Sequence, residues 1–274
     1  MPYPLLKVLA LAAFACAIVA GPASAAPSWA PASSATIHPG VQTFTDGAQC
    51  TANFVFYDAT DIYIGQAAHC SGTGAATETN GCDSASLPIG TAVEVDGASK
   101  PGTLVYNSWL SMQQKSESDP DTCQYNDFAL IKLDPADHGK VNPSIPFWGG
   151  PTGLDTDGTT QGEKVLSYGN SSLRGGVTQL SPKEGFSLGS DSGGWNHSLY
   201  TVTPGIPGDS GSAFIDKTGK AFGVLSTVAI APLPASNGVG DLSHELTWMK
   251  ANSTFTGVTL ATGTESFRGP LLPL

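Results

Sequence analysis

The chain has 274 residues, 12 basic against 23 acidic for a formal net charge of −11, and only 13% of its residues are charged. So acidic a chain is poorly suited to nucleic acid or an anionic membrane as a partner. Its 33 Gly and 20 Pro leave little room for long amphipathic helices.

Residues 1–25 read as a secretory signal. Lys7 gives a positive n-region, Val8 to Ala20 an apolar run, and Ala23-Ser24-Ala25 a small-residue cleavage site. The run is short for a bilayer span, so the exported chain is expected to carry no membrane anchor. Four cysteines remain after the signal: Cys50, Cys70, Cys82 and Cys123. An even number in an oxidising compartment predicts two disulfides, with three pairings open. No Cys-x-x-Cys or close His pair points to a structural zinc, so no metal or cofactor is expected.

Short runs rich in β-branched and aromatic residues recur between Gly, Pro, Asn, Asp and Ser. In chain order they are 52–58, 61–67, 91–95, 102–106, 128–133, 164–169, 197–202, 212–215 and 221–230. These are strand-and-turn signals, and without intervening helices they favour an antiparallel all-β architecture. Asp155-Thr156-Asp157-Gly158 reads as a turn, because the rest of a calcium loop does not follow. One helix is expected near the end, capped by Asp241, with Leu242, Leu246 and Met249 on one face. Residues beyond Asn252 are expected to form a loose tail or a packed strand.

Gly208-Asp209-Ser210-Gly211 contains the residue types of an ordinary turn. Ser210 becomes a candidate nucleophile only with a base and an orienting acid, because a hydroxyl is weakly nucleophilic at neutral pH. Among the histidines, His38, His138 and His197 lie in polar stretches and His244 in the expected helix. His69 closes an apolar strand and precedes Cys70. Asp127 stands at the mouth of the apolar run "FALIKL", where a half-buried carboxylate needs a partner such as an imidazole N–H.

The segments "AAHC", "NDFALIKL" and "GDSGSAF", in that order, resemble the trypsin/chymotrypsin-like serine peptidases, and the spacing of Ile37 to Cys50 is similar to the short secreted bacterial, streptogrisin-like members. The resemblance covers about residues 37 to 250. It implies two antiparallel six-stranded β-barrels followed by the helix. The corresponding division is a short N-terminal segment 26–36, a first barrel 37–135, a second barrel with the helix 136–252, and a tail 253–274. It implies a secreted, monomeric serine endopeptidase acting on proteins or peptides. His69, Asp127 and Ser210 would form the triad, and the N–H groups of Gly208 and Ser210 the oxyanion hole. It pairs Cys50 with Cys70, which leaves Cys82 for Cys123.

Pro204 stands where trypsin-like members carry the aspartate for basic P1 residues, so Arg/Lys specificity is not expected. Ser226 is expected near the triad acid, with Thr227 and Val228 along the substrate pocket, Val228 narrowing it toward small apolar side chains. Ile206 replaces the cysteine that usually staples this segment. Asp209 needs a cation, and Arg174 is the expected partner. Only about eleven residues separate the signal from Ile37, too few for a folding prosegment. Two other readings remain. Gly185-Phe186-Ser187-Leu188-Gly189 with Asp216 and His244 follows the order of an α/β-hydrolase esterase, but no helix can follow Ser187 in "LGSDSGGWNHS". The same barrels also serve as binding or adhesion proteins with little or no proteolysis.

Overall fold

The computed structural model describes residues 26–75, 78–229 and 236–271. The signal region 1–25 lies outside the described residues. All nine expected strand runs contain a strand: β3 (Val55–Tyr57), β4 (Ile62–Gln66), β5 (Ala92–Val95), β6 (Gly102–Asn107), β7 (Ala129–Lys132), β8 (Lys164–Tyr168), β10 (Asn196–Thr201), β11 (Ala213–Asp216) and β12 (Ala221–Ala229). Four more were not expected as strands, β1 (Gln42–Thr45), β2 (Ala48–Thr51), β9 (Pro182–Asp191) and β13 (Ser236–Asp241), while β14 (Thr259–Leu260) is the packed strand that was one of the two expectations for the tail.

Strands β8 to β13 close a six-stranded barrel in the order β10-β13-β12-β11-β8-β9. The N-terminal half differs from a six-stranded barrel. It is an eight-stranded open sheet, β14-β3-β4-β7-β6-β5-β1-β2. Its two ends are nonetheless joined by the chain itself. Ala52 N donates to Val41 O on one side and Asn53 N to Gly65 O on the other, so the chain turns a corner from β2 into β3. The eighth strand comes from beyond the C-terminal helix: Thr259 pairs with Tyr57 and Leu260 with Phe56. The end of the chain is thus packed down here.

Each half has its own core, one around Ile62, Ile64, Val93, Leu104 and Ile131, the other around Val165, Leu199, Phe214, Phe222 and Val239. A third cluster, including Phe54, Phe128, Trp148, Ile215, Leu242 and Met249, bridges the two halves. The C-terminal helix α3 spans Leu242–Asn252, and Asp241 accepts the His244 N–H as its cap.

Two further helices interrupt the expected all-strand pattern, α1 (Ser108–Lys115) and α2 (Pro120–Tyr125). Asn107 caps α1, and Trp109 and Met112, three residues apart, are buried beneath it. Asp119 caps α2 with Pro120 at its first position. Asp155 Oδ1 accepts the N–H groups of Asp157 and Gly158, a plain turn. Among the described residues no helix is long and apolar enough to cross a membrane.

Candidate active site

The register of β4 against β7 brings His69 to Asp127. Gln66 pairs with Ala129 at the ends of the two strands. The chain leaving β4 therefore meets the chain entering β7, and Ala68 N donates to Asp127 O at 3.1 Å. Asp127 Oδ1 accepts the His69 backbone N–H at 2.8 Å, and Oδ2 lies 2.6 Å from His69 Nδ1. Ser226 Oγ donates to the same Oδ2 at 2.5 Å. Asp127 is buried, so these three donors carry its charge. The imidazole keeps 26% of its surface exposed. Burial pulls His69 down, but the charge of Asp127 and its hydrogen bond pull harder and hold the imidazole above its ordinary value.

Behind His69, Cys50 and Cys70 are joined, as are Cys82 and Cys123. Because Cys50 and Cys70 are bonded to each other, their sulfurs beside His69 are not thiolate metal ligands. The second bridge ties α2 to the loop before β5. The first closes a loop with a sequence separation of 20. Replacing Cys50 and Cys70 together by alanine is expected to cost about 3 kcal/mol in a denaturant titration. A loss under about 1 kcal/mol would mean that packing alone holds the His69 turn.

Ser210 comes from the other half, just before β11, and the halves are stitched at this point. Thr51 N, from β2 of the first half, donates to Ser210 O at 2.8 Å, and within the second half Gly211 N donates to Leu225 O at 2.7 Å. Gly208, Ser210, His69, Cys50, Pro204, Ile206, Ser226 and Thr227 border one cleft of about 1000 Å³. Ser210 Oγ and His69 Nε2 are not hydrogen-bonded to each other.

The backbone around Ser210 is held by its carbonyls. Pro207 O accepts from Ser171 Oγ at 2.5 Å. Asp209 O accepts from Ser212 N at 3.0 Å and from Ser212 Oγ. In a planar trans peptide the N–H points opposite to the C=O, so the N–H groups of Gly208 and Ser210 are turned away from these anchors. Neither has a partner among the described residues, and both residues border the cleft. Gly208 has φ +93°, and a Cβ there would sit 2.2 Å from Gln49 Oε1, so the turn requires glycine.

Asp209 points inward and is fully buried. Its Oδ2 lies 2.5 Å from Arg174 Nη2, the expected partner, and 3.0 Å from Lys183 Nζ, a second cation that the sequence did not reveal. Both cations also donate to Pro204 O, so they brace the strip from Pro204 to Asp209. Burial pushes the Lys183 ammonium below its ordinary value; Asp209 opposes that shift and Arg174 adds to it.

Of the remaining candidates, Thr227 borders the cleft, and Val228 lies on β12 opposite Asn237. The Val228 side chain lies outside the described part of the structure. Asn237, which sequence reasoning missed, is buried against the cleft wall and accepts the Gly205 N–H at 3.2 Å. Ile37 is buried and its N–H donates to Lys140 O, remote from Asp209's partners. The alternative serine, Ser187, is buried within β9 and bonded to Thr159 Oγ1 and Gly189 N. Asp216 holds the turn at Thr218 and Lys220, and His244 pairs with Asp241, so the esterase constellation is not assembled.

No family model matches the chain. Two curated relatives, both glucan 1,3-beta-glucosidases of Candida albicans, are 35% identical to it over 101 and 99 residues, or 34% and 33% of this chain. The chain spans about a third of the length of these relatives. Solved structures align far more widely. Protease A of Thermobifida fusca covers 83% of this chain and 99% of its own at 15% identity, TM-score 0.53. A glutamic acid specific serine protease covers 82% and 100% at 16% identity, TM-score 0.52. The chymotrypsin of Cellulomonas bogoriensis covers 82% and 98% at 14% identity, TM-score 0.50. The chain therefore has the fold of the chymotrypsin-like serine proteases.

Proposed function

We propose that the chain is an exported serine endopeptidase with Ser210 as nucleophile, His69 as general base and Asp127 as the acid that orients it. Ser210 Oγ attacks the scissile carbonyl carbon while His69 Nε2 takes its proton. The tetrahedral oxyanion is held by the N–H groups of Gly208 and Ser210. Its collapse breaks the C–N bond, and His69 returns the proton to the leaving amine. Water, deprotonated by His69, then releases the acyl group and restores Ser210. The observation that carries this reading is the assembly, at one cleft, of an imidazole locked through Nδ1 to a buried carboxylate and a serine flanked by unpartnered N–H groups. Hydrogen bonds between nucleophile and base often tighten only when substrate is bound.

Pro204, which borders the cleft, brings no negative charge to a basic side chain, which supports a P1 residue other than Arg or Lys. Two disulfides support export to an oxidising compartment. Glycoside hydrolysis, suggested by the partial likeness to the Candida glucosidases, needs two carboxyl groups facing each other about 5–9.5 Å apart across a cleft. Among the described residues that border this cleft, Glu78 is the sole carboxylate.

The test is labelling with a fluorophosphonate followed by peptide mapping, as a function of pH. Label is expected on Ser210 and absent in a His69→Ala variant. The rate should fall as the pH drops, because only the neutral imidazole accepts the serine proton. Asp127 raises that imidazole, so the acid limb should lie above about 6.5. Folded protein that takes no label would instead favour a binding or adhesion role, and label on Ser187 would favour the esterase.

A further inference from the structure

Glu245, in the first turn of α3, is a fully buried acid outside the cleft and the triad. Its Oε1 accepts the backbone N–H of Asp127 at 3.1 Å. The opposite side of that oxygen rests on Gly240, where a Cβ would come within 2.6 Å of Oε1. Glu245 Oε2 and the hydroxyl of Tyr106 are both buried without a partner among the described residues.

We propose that Glu245 is a positioning residue: by accepting the Asp127 N–H from behind, its carboxyl fixes the backbone whose carboxylate locks His69. The proposal rests on the peptidase reading for its effect on rate, but its effect on the His69–Asp127 pair stands independently.

The chain of contacts is short. α3 holds Glu245, Glu245 holds the Asp127 amide, and the two Asp127 carboxylate oxygens hold the His69 amide and Nδ1. Among the described residues the Asp127 N–H has no second acceptor, so removing the carboxyl leaves a buried donor unpaired within two bonds of the side chain that orients the base. The groups that act electrostatically on Glu245 are Asp127, Asp241 and the Tyr106 hydroxyl. Burial first, and then the charges of Asp127 and Asp241, raise Glu245 well above its ordinary value, which favours the neutral acid. A neutral acceptor can sit behind Asp127 without adding a second negative charge to the site. Glutamine keeps that acceptor and that neutrality, whereas methionine keeps the volume and loses both oxygens.

The experiment compares wild type, Glu245→Gln and Glu245→Met by two readouts. The first is the rate of fluorophosphonate labelling at Ser210 against pH. The second is the downfield proton resonance of His69 Nδ1–H. Gln is expected to match wild type within about threefold and to keep both the acid limb and the resonance. Met is expected to label at least tenfold more slowly, with the resonance shifted or lost. Equal behaviour of Met and wild type overturns the proposal, as does a Gln variant as impaired as Met. Should wild type take no label yet show the resonance, the peptidase reading fails, and the resonance in the two variants still decides the role of Glu245.

A further readout covers a Met variant that does not fold. Above the ordinary glutamate range the folded wild type keeps a proton that the unfolded chain releases, so its stability falls as pH rises. The Gln variant has no such proton, so its melting temperature should gain on wild type from pH 5 to pH 8. No gain would mean that Glu245 is ionised and would overturn the neutral-acceptor role.

Discussion

Asp127→Asn is expected to slow acylation of Ser210 by about 10⁴-fold with the fold intact. The reason is the direction of one hydrogen bond. Asp127 Oδ2 accepts from His69 Nδ1, which leaves Nε2 unprotonated and able to take the serine proton. Asn cannot satisfy all the donors that converge on this carboxylate, which are His69 N, His69 Nδ1 and Ser226 Oγ. Oδ1 remains an acceptor for the backbone N–H if the amide nitrogen takes the Oδ2 place. That nitrogen then donates to Nδ1 and forces the proton onto Nε2, where it blocks the base. The measurement is the rate of labelling at Ser210 at saturating probe, beside a thermal melt. A rate within tenfold of wild type, in folded protein, would remove Asp127 from the mechanism. Ser226→Ala, which removes one donor to the same oxygen and leaves the tautomer unchanged, should have a much smaller effect.

The residues that the structure gathers at the cleft carried local signals in the sequence, and so did nine of the strands around them. His69 could be singled out because it follows an apolar strand and precedes a cysteine, and Asp127 because it opens the most apolar strand. Both signals are local, and the β4–β7 register turns them into contact. What was missed depends on distant partners. β1 and β2 are short and mixed in composition, and each is a strand only through pairing, as Thr43 with Cys50 and Thr43 with Val95. β9 carries Pro182, Lys183 and Glu184 at its start, which look like a surface turn; Lys183 is drawn inside by its ion pair with Asp209. α1 and α2 lie in a polar insertion whose caps, Asn107 and Asp119, are as common in turns as at helix starts. Glu245 sits beside Leu246 in a pattern that marks a helix face but not that the neighbouring acid is buried behind Asp127.

The second large effect is expected at Asp209. Its carboxylate is fully buried, with Arg174 and Lys183 on Oδ2, Ile206 N on the same oxygen and Ser171 N on Oδ1. Removing both cations in an Arg174→Met, Lys183→Met variant leaves this charge uncompensated and should cost about 3–5 kcal/mol. Each single variant should cost less, because the other cation remains in contact. The loss should not stop at stability. The same two side chains hold Pro204 O, and Asp209 N closes the turn onto Ile206 O, so the strip carrying Gly208 and Ser210 slackens with them. Labelling of Ser210 should therefore fall in the double variant under conditions where it is still folded. Because the cations are internal, no new N-terminal amine is needed to neutralise Asp209. Ala30 N donates to Val141 O and Ile37 N to Lys140 O, so the segment before Ile37 is bonded into the body of the protein. A chain that keeps residues 26–36 should label as fast as one beginning at Ile37. An inert longer chain and an active shorter one would show instead that Asp209 waits for a terminal amine, and that the Arg174–Lys183 pair does not set the active geometry.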